Sequence, residues 1–237
     1  MQRNNTSGGF SLVEMAMVMV IVGLMLGGLL TPLAMQMEQR KISETQKTLD
    51  ESREALLGFA MRYGYLPCPA VSAVNGMEDR SGANCTGGKR QGFLPWATLG
   101  LSKLDAWGHI LHYSVSPAFS NSQTLFNLST PRDITIGTRD ARGNLVAATG
   151  ISDIPAVIMS HGKNGYGAFS DLGIRSADTT ATNLDERTNA SVTGIAFVQR
   201  VPVDNPAAPG GEYDDMVIWL SPNVLFNRMV VAGVLPR

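Results

Sequence analysis

The sequence predicts an α+β fold in which one long N-terminal helix is followed by, and packs by its second half on, an antiparallel sheet. Three observations carry this. Residues 15–37 contain no Asp, Glu, Lys or Arg. Residues 38–63 place Ile42, Leu49, Leu56 and Tyr63 at seven-residue intervals on a charged, helix-favouring background. Beyond Gly64 the pattern becomes short apolar runs separated by Gly, Pro, Asn, Asp and Ser, which is the signature of strands and turns.

The chain opens on a polar leader, MQRNNTSGG, and passes through Phe10-Ser11-Leu12-Val13-Glu14 into the uncharged run. As a helix, that run of 23 residues spans roughly 34 Å, enough for a bilayer core of about 30 Å. It is longer than the apolar core of a secretory signal peptide, and no small-x-small cleavage site follows it. Gly23 and Gly27 form a G-x-x-x-G pair that permits close helix approach, and Pro32 should kink or loosen the helix. Glu14 stands at the mouth of the run, where a carboxylate is expensive, about 2.5–3.5 kcal/mol near the bilayer centre. Such a residue usually has a function.

The helix continues to Tyr63, with Gly64 as its stop and Pro67 just beyond. Thr45 and Ser52 occupy the other seam positions of the stripe and argue against a free coiled coil. Strands are expected at 109–116, 133–138, 145–149, 156–160, 192–201 and 216–220. Loops are expected at 70–92, 171–191 and 202–213. Residues 224–231 read equally as a short helix or a last strand. The organisation is therefore a leader (1–9), an apolar helix half (10–37), an amphipathic helix half (38–63) and a β-rich head (64–237).

Formal charge is −1, from 19 basic and 20 acidic side chains, so no nucleic-acid partner is expected. Cys68 and Cys85 flank a turn-rich stretch and are expected to form a disulfide, provided the head lies outside the cytoplasm. Counting Arg40, Lys41, Lys47 and Arg53 against Arg3 favours the opposite orientation. Large domains translocate largely regardless of charge, and the cysteine pair agrees with export, so the head is placed outside.

No G-x-S-x-G, H-E-x-x-H or P-loop occurs, and the chain is read as a non-enzyme. His109 and His112, three apart on an expected strand, point to opposite faces and make no metal site with His161. Asp105 is expected to cap a turn, and Trp96 and Trp107 to be core. The carboxylates Asp171, Asp178, Asp185, Glu186, Glu212, Asp214 and Asp215 are hard oxygen donors of the kind Ca²⁺ takes, but they lack the EF-hand spacing. Solvated turns are the expected role, and no cofactor is assigned.

The stretch Gly9-Phe10-Ser11-Leu12-Val13-Glu14, followed directly by the apolar helix, resembles the class III signal of the type IV pilin and type II secretion pseudopilin superfamily. The resemblance implies a pilin-like fold and cleavage by prepilin peptidase between Gly9 and Phe10. It further implies N-methylation of the new terminal Phe10 and a role for Glu14 in assembly, by pairing with the Phe10 ammonium of a neighbour. Glycine at position 9 suits this, having no Cβ to obstruct a protease. Asp105-Ala106-Trp107-Gly108, the segment 160–165 and Asp214-Asp215 resemble elements of pseudopilin heads.

The expected function is a structural subunit, of a minor or specialised kind, of a type II secretion pseudopilus or type IV pilus. Its expected partners are prepilin peptidase, other pilin or pseudopilin subunits, an inner-membrane assembly platform and the membrane itself. The expected location is the bacterial inner membrane, single-pass with the head in the periplasm, and then the filament. The alternative is an adhesive or ligand-binding module on the same anchor, using the long loops as its surface.

Overall fold

The computed structural model describes residues 11–177 and 182–236, and the side chains of all of these except 26–32. In order, the elements are α1 (Leu12–Tyr63), β1 (Arg80–Ser81), β2 (Asn84–Cys85), β3 (Gln91–Phe93), α2 (Trp96–Leu99), β4 (His112–Val115), α3 (Pro117–Ser120), β5 (Thr135–Arg139), β6 (Leu145–Ala147), β7 (Ala156–Ser160), α4 (Leu184–Asn189), β8 (Ala196–Val198), β9 (Met216–Trp219) and α5 (Pro222–Val231). The chain divides into two compact units, Met1–Ile42 and Ser43–Arg237.

In the first unit, α1 runs through the apolar stretch with its described side chains exposed, Leu12 by 91% and Leu24 by 73%. Among the described residues no helix is long and apolar enough to cross a membrane. The side chains of 26–32, in the middle of the apolar run, lie outside that description. So does the expectation at Pro32.

In the second unit the amphipathic part of α1 buries Leu49 and Leu56 of its expected stripe, while Tyr63 at its end is 45% exposed. Leu49, Leu56, Leu57 and Ala60 pack with Tyr113 and Val115 of β4, Ala156 and Ile158 of β7, and Leu225 and Met229 of α5. Burying each leucine stabilises the fold by about 1.5–3 kcal/mol. Thr45 and Ser52 lie within the same buried stripe. The Thr45 hydroxyl accepts from Ala106 N at 3.2 Å, and the Ser52 hydroxyl donates to Thr48 O at 2.7 Å, so neither polar group is left unpaired. The helix ends as expected, with Gly64 at φ 80° donating its N–H to Ala60 O.

The main sheet has the order β3-β4-β7-β9 and is antiparallel throughout. Alternation gives it two buried faces. Ala156 and Ile158 face the helix, while Val157 and Met159 join Ile134, Ile136, Ile154, Phe197 and Val217 in a second core. That core belongs to a second sheet, β6-β5-β8, in which β5 and β8 are parallel. The whole of β7 and α4 intervenes between them, long enough for a crossover that returns the chain in the same direction.

Residues 224–231 resolve as α5, and 156–160 as β7 with the same bounds. The strands expected at 109–116, 145–149, 192–201 and 216–220 are shorter than expected, and β5 is shifted, starting two residues later and ending one residue beyond the expected 133–138. The expected loop 70–92 contains the small β1–β2 hairpin and the start of β3, and the expected loop 171–191 contains α4.

Cys68 and Cys85 form a disulfide, with Cα atoms 5.4 Å apart and a separation of 17 along the chain. It closes the base of the β1–β2 hairpin. Arg80 locks the same loop by donating to Ala83 O and Ser120 O and pairing with Glu78. A loop of this length loses about 3 kcal/mol of unfolded-state entropy when crosslinked. The double replacement Cys68→Ser with Cys85→Ser is therefore expected to lower unfolding stability by about 2–4 kcal/mol in chemical denaturation. Wild-type protein treated with reductant should match it, and a midpoint indifferent to both treatments would contradict the loop argument.

Candidate functional site

At the start of α1 the sequence Ser11-x-x-Glu14 closes a capping box. Ser11 N donates to Glu14 Oε2 at 2.8 Å, and Glu14 N donates to Ser11 Oγ at 3.2 Å. Two helix-end N–H groups are thereby satisfied, and the carboxylate sits at the positive end of the helix dipole. Only one carboxylate oxygen is used in the box. Gly9 and Phe10 lie outside the described residues.

In the head, the segments set apart in the sequence come together. Asp105 caps its turn as expected: Oδ1 accepts from Trp107 N and His109 N at 2.9 Å each, and Oδ2 accepts from the Ser160 hydroxyl at 2.5 Å. Burial pushes its carboxyl upward, but the hydrogen bonds from His109 and Ser160 outweigh this and hold it below the usual carboxylate range. Because Ser160 donates to a carboxylate, this geometry is that of a structural tie between the loop before β4 and the end of β7. Trp96 and Trp107 are half-buried and not core.

The glycine loop after β7 reaches the segment before β9. Gly162 has φ 59°, and a Cβ there would stand 2.4 Å from Asp214 O. Gly165, at φ 62°, lies against the His109 ring, 2.8 Å from where its Cβ would be. Both positions require glycine, for conformation and for space. His112 and His161 stack edge to face with ring centroids 5.8 Å apart. Burial depresses both, His112 to about 4, so both are neutral. His109, by contrast, is raised by the Asp105 carboxylate, which stands 3.7 Å from its Nδ1.

Beside the glycine loop, Glu186, Asp214 and Asp215 converge, each offering an oxygen within 4.8 Å of the others. Glu186 is wholly buried and accepts from Asn164 Nδ2 at 2.9 Å, Asn183 Nδ2 at 2.7 Å and Asp214 N at 2.8 Å. Asp215 Oδ2 accepts from Asn189 Nδ2 at 2.7 Å, while His161 Nδ1 stands 3.7 Å from its Oδ1. Desolvation raises all three carboxyls, Glu186 to about 7. Like charges so close cannot all ionise in a dry site unless a cation compensates them. The raised carboxyls therefore favour protons on members of the set, and its three carboxylate oxygens are also donors of the kind a hard cation takes. The other acidic candidates do not join it. Asp185 is paired with Arg139 and Arg200, Asp171 with Lys103, and Asp178 lies outside the described residues. Glu212 stands at its edge, within 3.4 Å of Asn183 Nδ2.

Comparison with known families bears on the other end of the chain. Residues 4–30 match the prokaryotic N-terminal methylation motif. The chain carries a class III prepilin signal. This is the signal of type IV pilins and pseudopilins, and it implies processing by a prepilin peptidase and assembly with other pilin-type subunits. Gly9, Phe10 and Glu14 all fall within the matched span. No curated protein and no solved structure matches the chain.

Of the residues singled out in the sequence, Asp214, Asp215 and Glu186 are brought together, and the prepilin signal belongs to the other unit. Sequence reasoning missed Asn164, Asn183 and Asn189 as the amides that organise the carboxylates. Asn164 was visible in the glycine loop, but the other two sit in a stretch read as loop, where α4 forms.

The raised Glu186 carboxyl has a readable consequence. A carboxyl that binds its proton more tightly when folded adds stability below its unfolded value of 4.5, and that contribution is lost as pH rises through about 7. The depressed imidazoles act in the opposite sense, but identically in wild type and in Glu186→Gln. The variant is thus expected to gain stability relative to wild type between pH 5 and pH 8, in thermal melts with chelator present. A difference between the two that is constant across this pH range would contradict the proton assignment.

Proposed function

We propose that this protein is a structural subunit of a pilus-type filament, either a type II secretion pseudopilus or a type IV pilus, and a minor or specialised one. The observation that carries the proposal is the prepilin signal joined to a helix with two kinds of surface. The signal supports membrane anchoring before assembly. The exposed apolar side chains from Leu12 to Met25 need lipid or neighbouring helices. The amphipathic half of the same helix is committed to the head. In this reading the subunit waits in the inner membrane with its head on the far side. It is then drawn into the filament through an assembly platform.

Glu14 has two tasks here. One oxygen completes the capping box with Ser11. The other is available to the ammonium of a neighbour's Phe10 once the leader is removed, and that pairing offsets the desolvation of both charges. The two tasks separate by substitution. Gln at N3 preserves a capping box but carries no charge. Glu14→Gln is expected to be cleaved and membrane-associated like wild type, yet to fall at least about tenfold in filament incorporation, the loss of one well-placed buried pair. Sheared-fraction immunoblots provide the readout. Wild-type incorporation of Glu14→Gln would remove the ion pair from the account. If Glu14→Leu alone failed, the capping box would be the element that matters.

The adhesive or ligand-binding reading is the alternative. It is favoured by the long loops of the head and is compatible with the same anchor.

A further inference from the structure

Large apolar side chains stand out into solvent on two loops of the head. Val71, Val74 and Met77 are exposed on one, and Leu172 and Ile174 on the other, Val74 by 74% and Leu172 by 72%. The two loops touch, since a Cβ on Gly173 would stand 2.6 Å from that of Ala73. Residues 71–77 and 172–174 carry no charge, and the neighbouring Asp171 is paired with Lys103. Single exposed apolar residues are ordinary, but five on adjoining turns form a patch of the kind that marks a contact surface.

The turns satisfy much of their own backbone. Ser72 Oγ accepts from Val74 N and Asn75 N, Asn75 Oδ1 accepts from Met77 N, and Val71 N donates to Met77 O. In the other turn Ser170 Oγ accepts from Ile174 N, and Ser170 O accepts from Gly173 N. N–H groups satisfied in this way lose little when water is removed from around them.

The packing around β4 sets the place of these turns in the head. Ala106 N donates to Thr45 Oγ1 at 3.2 Å, which ties the turn before β4 to the first part of the head's helix. His109 of that turn bridges to Ser170, and Lys103 Nζ donates to Asp171 O at 2.7 Å. The apolar tips therefore belong to the end of the head at which α1 enters it. Thr45 is eight residues beyond Met37, the last residue of the uncharged run. The exposed Leu128 belongs to the other end, because it follows α3, where Phe119 O accepts from Leu66 N just past the stop of α1.

A partner for this patch is apolar, needs no matching charge and is present where the chain enters the head. A stable protein interface buries about 800 Å² per partner, whereas the patch offers roughly a few hundred Å². A bilayer surface takes apolar groups to a depth of about 5–10 Å without asking for a complementary shape. We propose that, while the subunit is anchored, the tips at 71–77 and 172–174 seat in the lipid surface from which α1 emerges. The proposal rests on the reading of residues 15–37 as the membrane anchor. The seat holds the head against the bilayer, and extraction into a filament has to release it.

The test uses the full chain reconstituted in vesicles of phosphatidylethanolamine and phosphatidylglycerol. An environment-sensitive NBD label is placed on Val74→Cys, on Leu128→Cys or on Leu24→Cys. The label at position 74 is expected to be blue-shifted and quenched by lipids carrying a nitroxide at the top of the acyl chain. The label at 128 should show neither effect, and the label at 24, in the apolar helix half, should be quenched whatever the head does. Adding Leu172→Asp should abolish the quenching at 74 while the thermal unfolding midpoint stays that of wild type, because the side chain is exposed. Quenching at 24 without quenching at 74 overturns this proposal and leaves the anchor standing, whereas no quenching at 24 overturns both. Equal quenching at 74 and 128, or quenching at 74 that survives Leu172→Asp, also overturns it. So does a blue shift at 74 that grows with the protein-to-lipid ratio and ignores the nitroxide, because a second copy then covers the tips.

Discussion

The stripe of Leu49, Leu56, Leu57 and Ala60 must be buried, and it is buried on one face of the main sheet, against Tyr113 and Val115 of β4 and Ala156 and Ile158 of β7. That docking decides much else. With the helix on one face, β4 and β7 can be central only if something covers the other, and the β6-β5-β8 sheet does so. Polar side chains that alternation sends to that second face, His112 and Ser114, are then buried and need partners. Gln91 and Gly194 O supply them. The polar network of the head is thus a consequence of a sheet buried on both sides, and the loops from 160 to 215 are shaped by having to satisfy it.

The same logic separates what was legible in the sequence from what was not. The helix was legible through Tyr63 because its period and its glycine stop are local signals. Strand β7 was legible to the residue because four apolar residues and Ser160, bounded by Pro155 and His161, have little freedom. The small elements in 70–92 and 171–191 were not, because Gly, Ser, Thr and Asp fit turns and short helices equally. Thr45 and Ser52 argued against a coiled coil, and their burial shows why: each finds a backbone partner in the head or on its own helix. The carboxylate cluster could be named from sequence only as a list. Which members converge depends on α4 delivering Glu186 to a point reached some thirty residues later by Asp214, a tertiary fact with no local trace.

The chain joins two kinds of information. Its first residues are a processing and assembly signal, in which Ser11 and Glu14 begin a helix before any partner arrives. Its head carries a disulfide, a carboxylate cluster and two apolar loop tips, and none of these lies within the matched signal. A subunit built so can share its polymerising end with other pilin-type chains while the head differs.

The central claim is that the junction at Gly9-Phe10 is a prepilin cleavage site. Intact-mass measurement with N-terminal sequencing, on chain recovered from membranes of cells containing prepilin peptidase, tests it most directly. The account predicts a mature protein that begins at Phe10 and carries one methyl group on its terminal amine. A chain that retains Met1, or one cut beyond the apolar run, would contradict it.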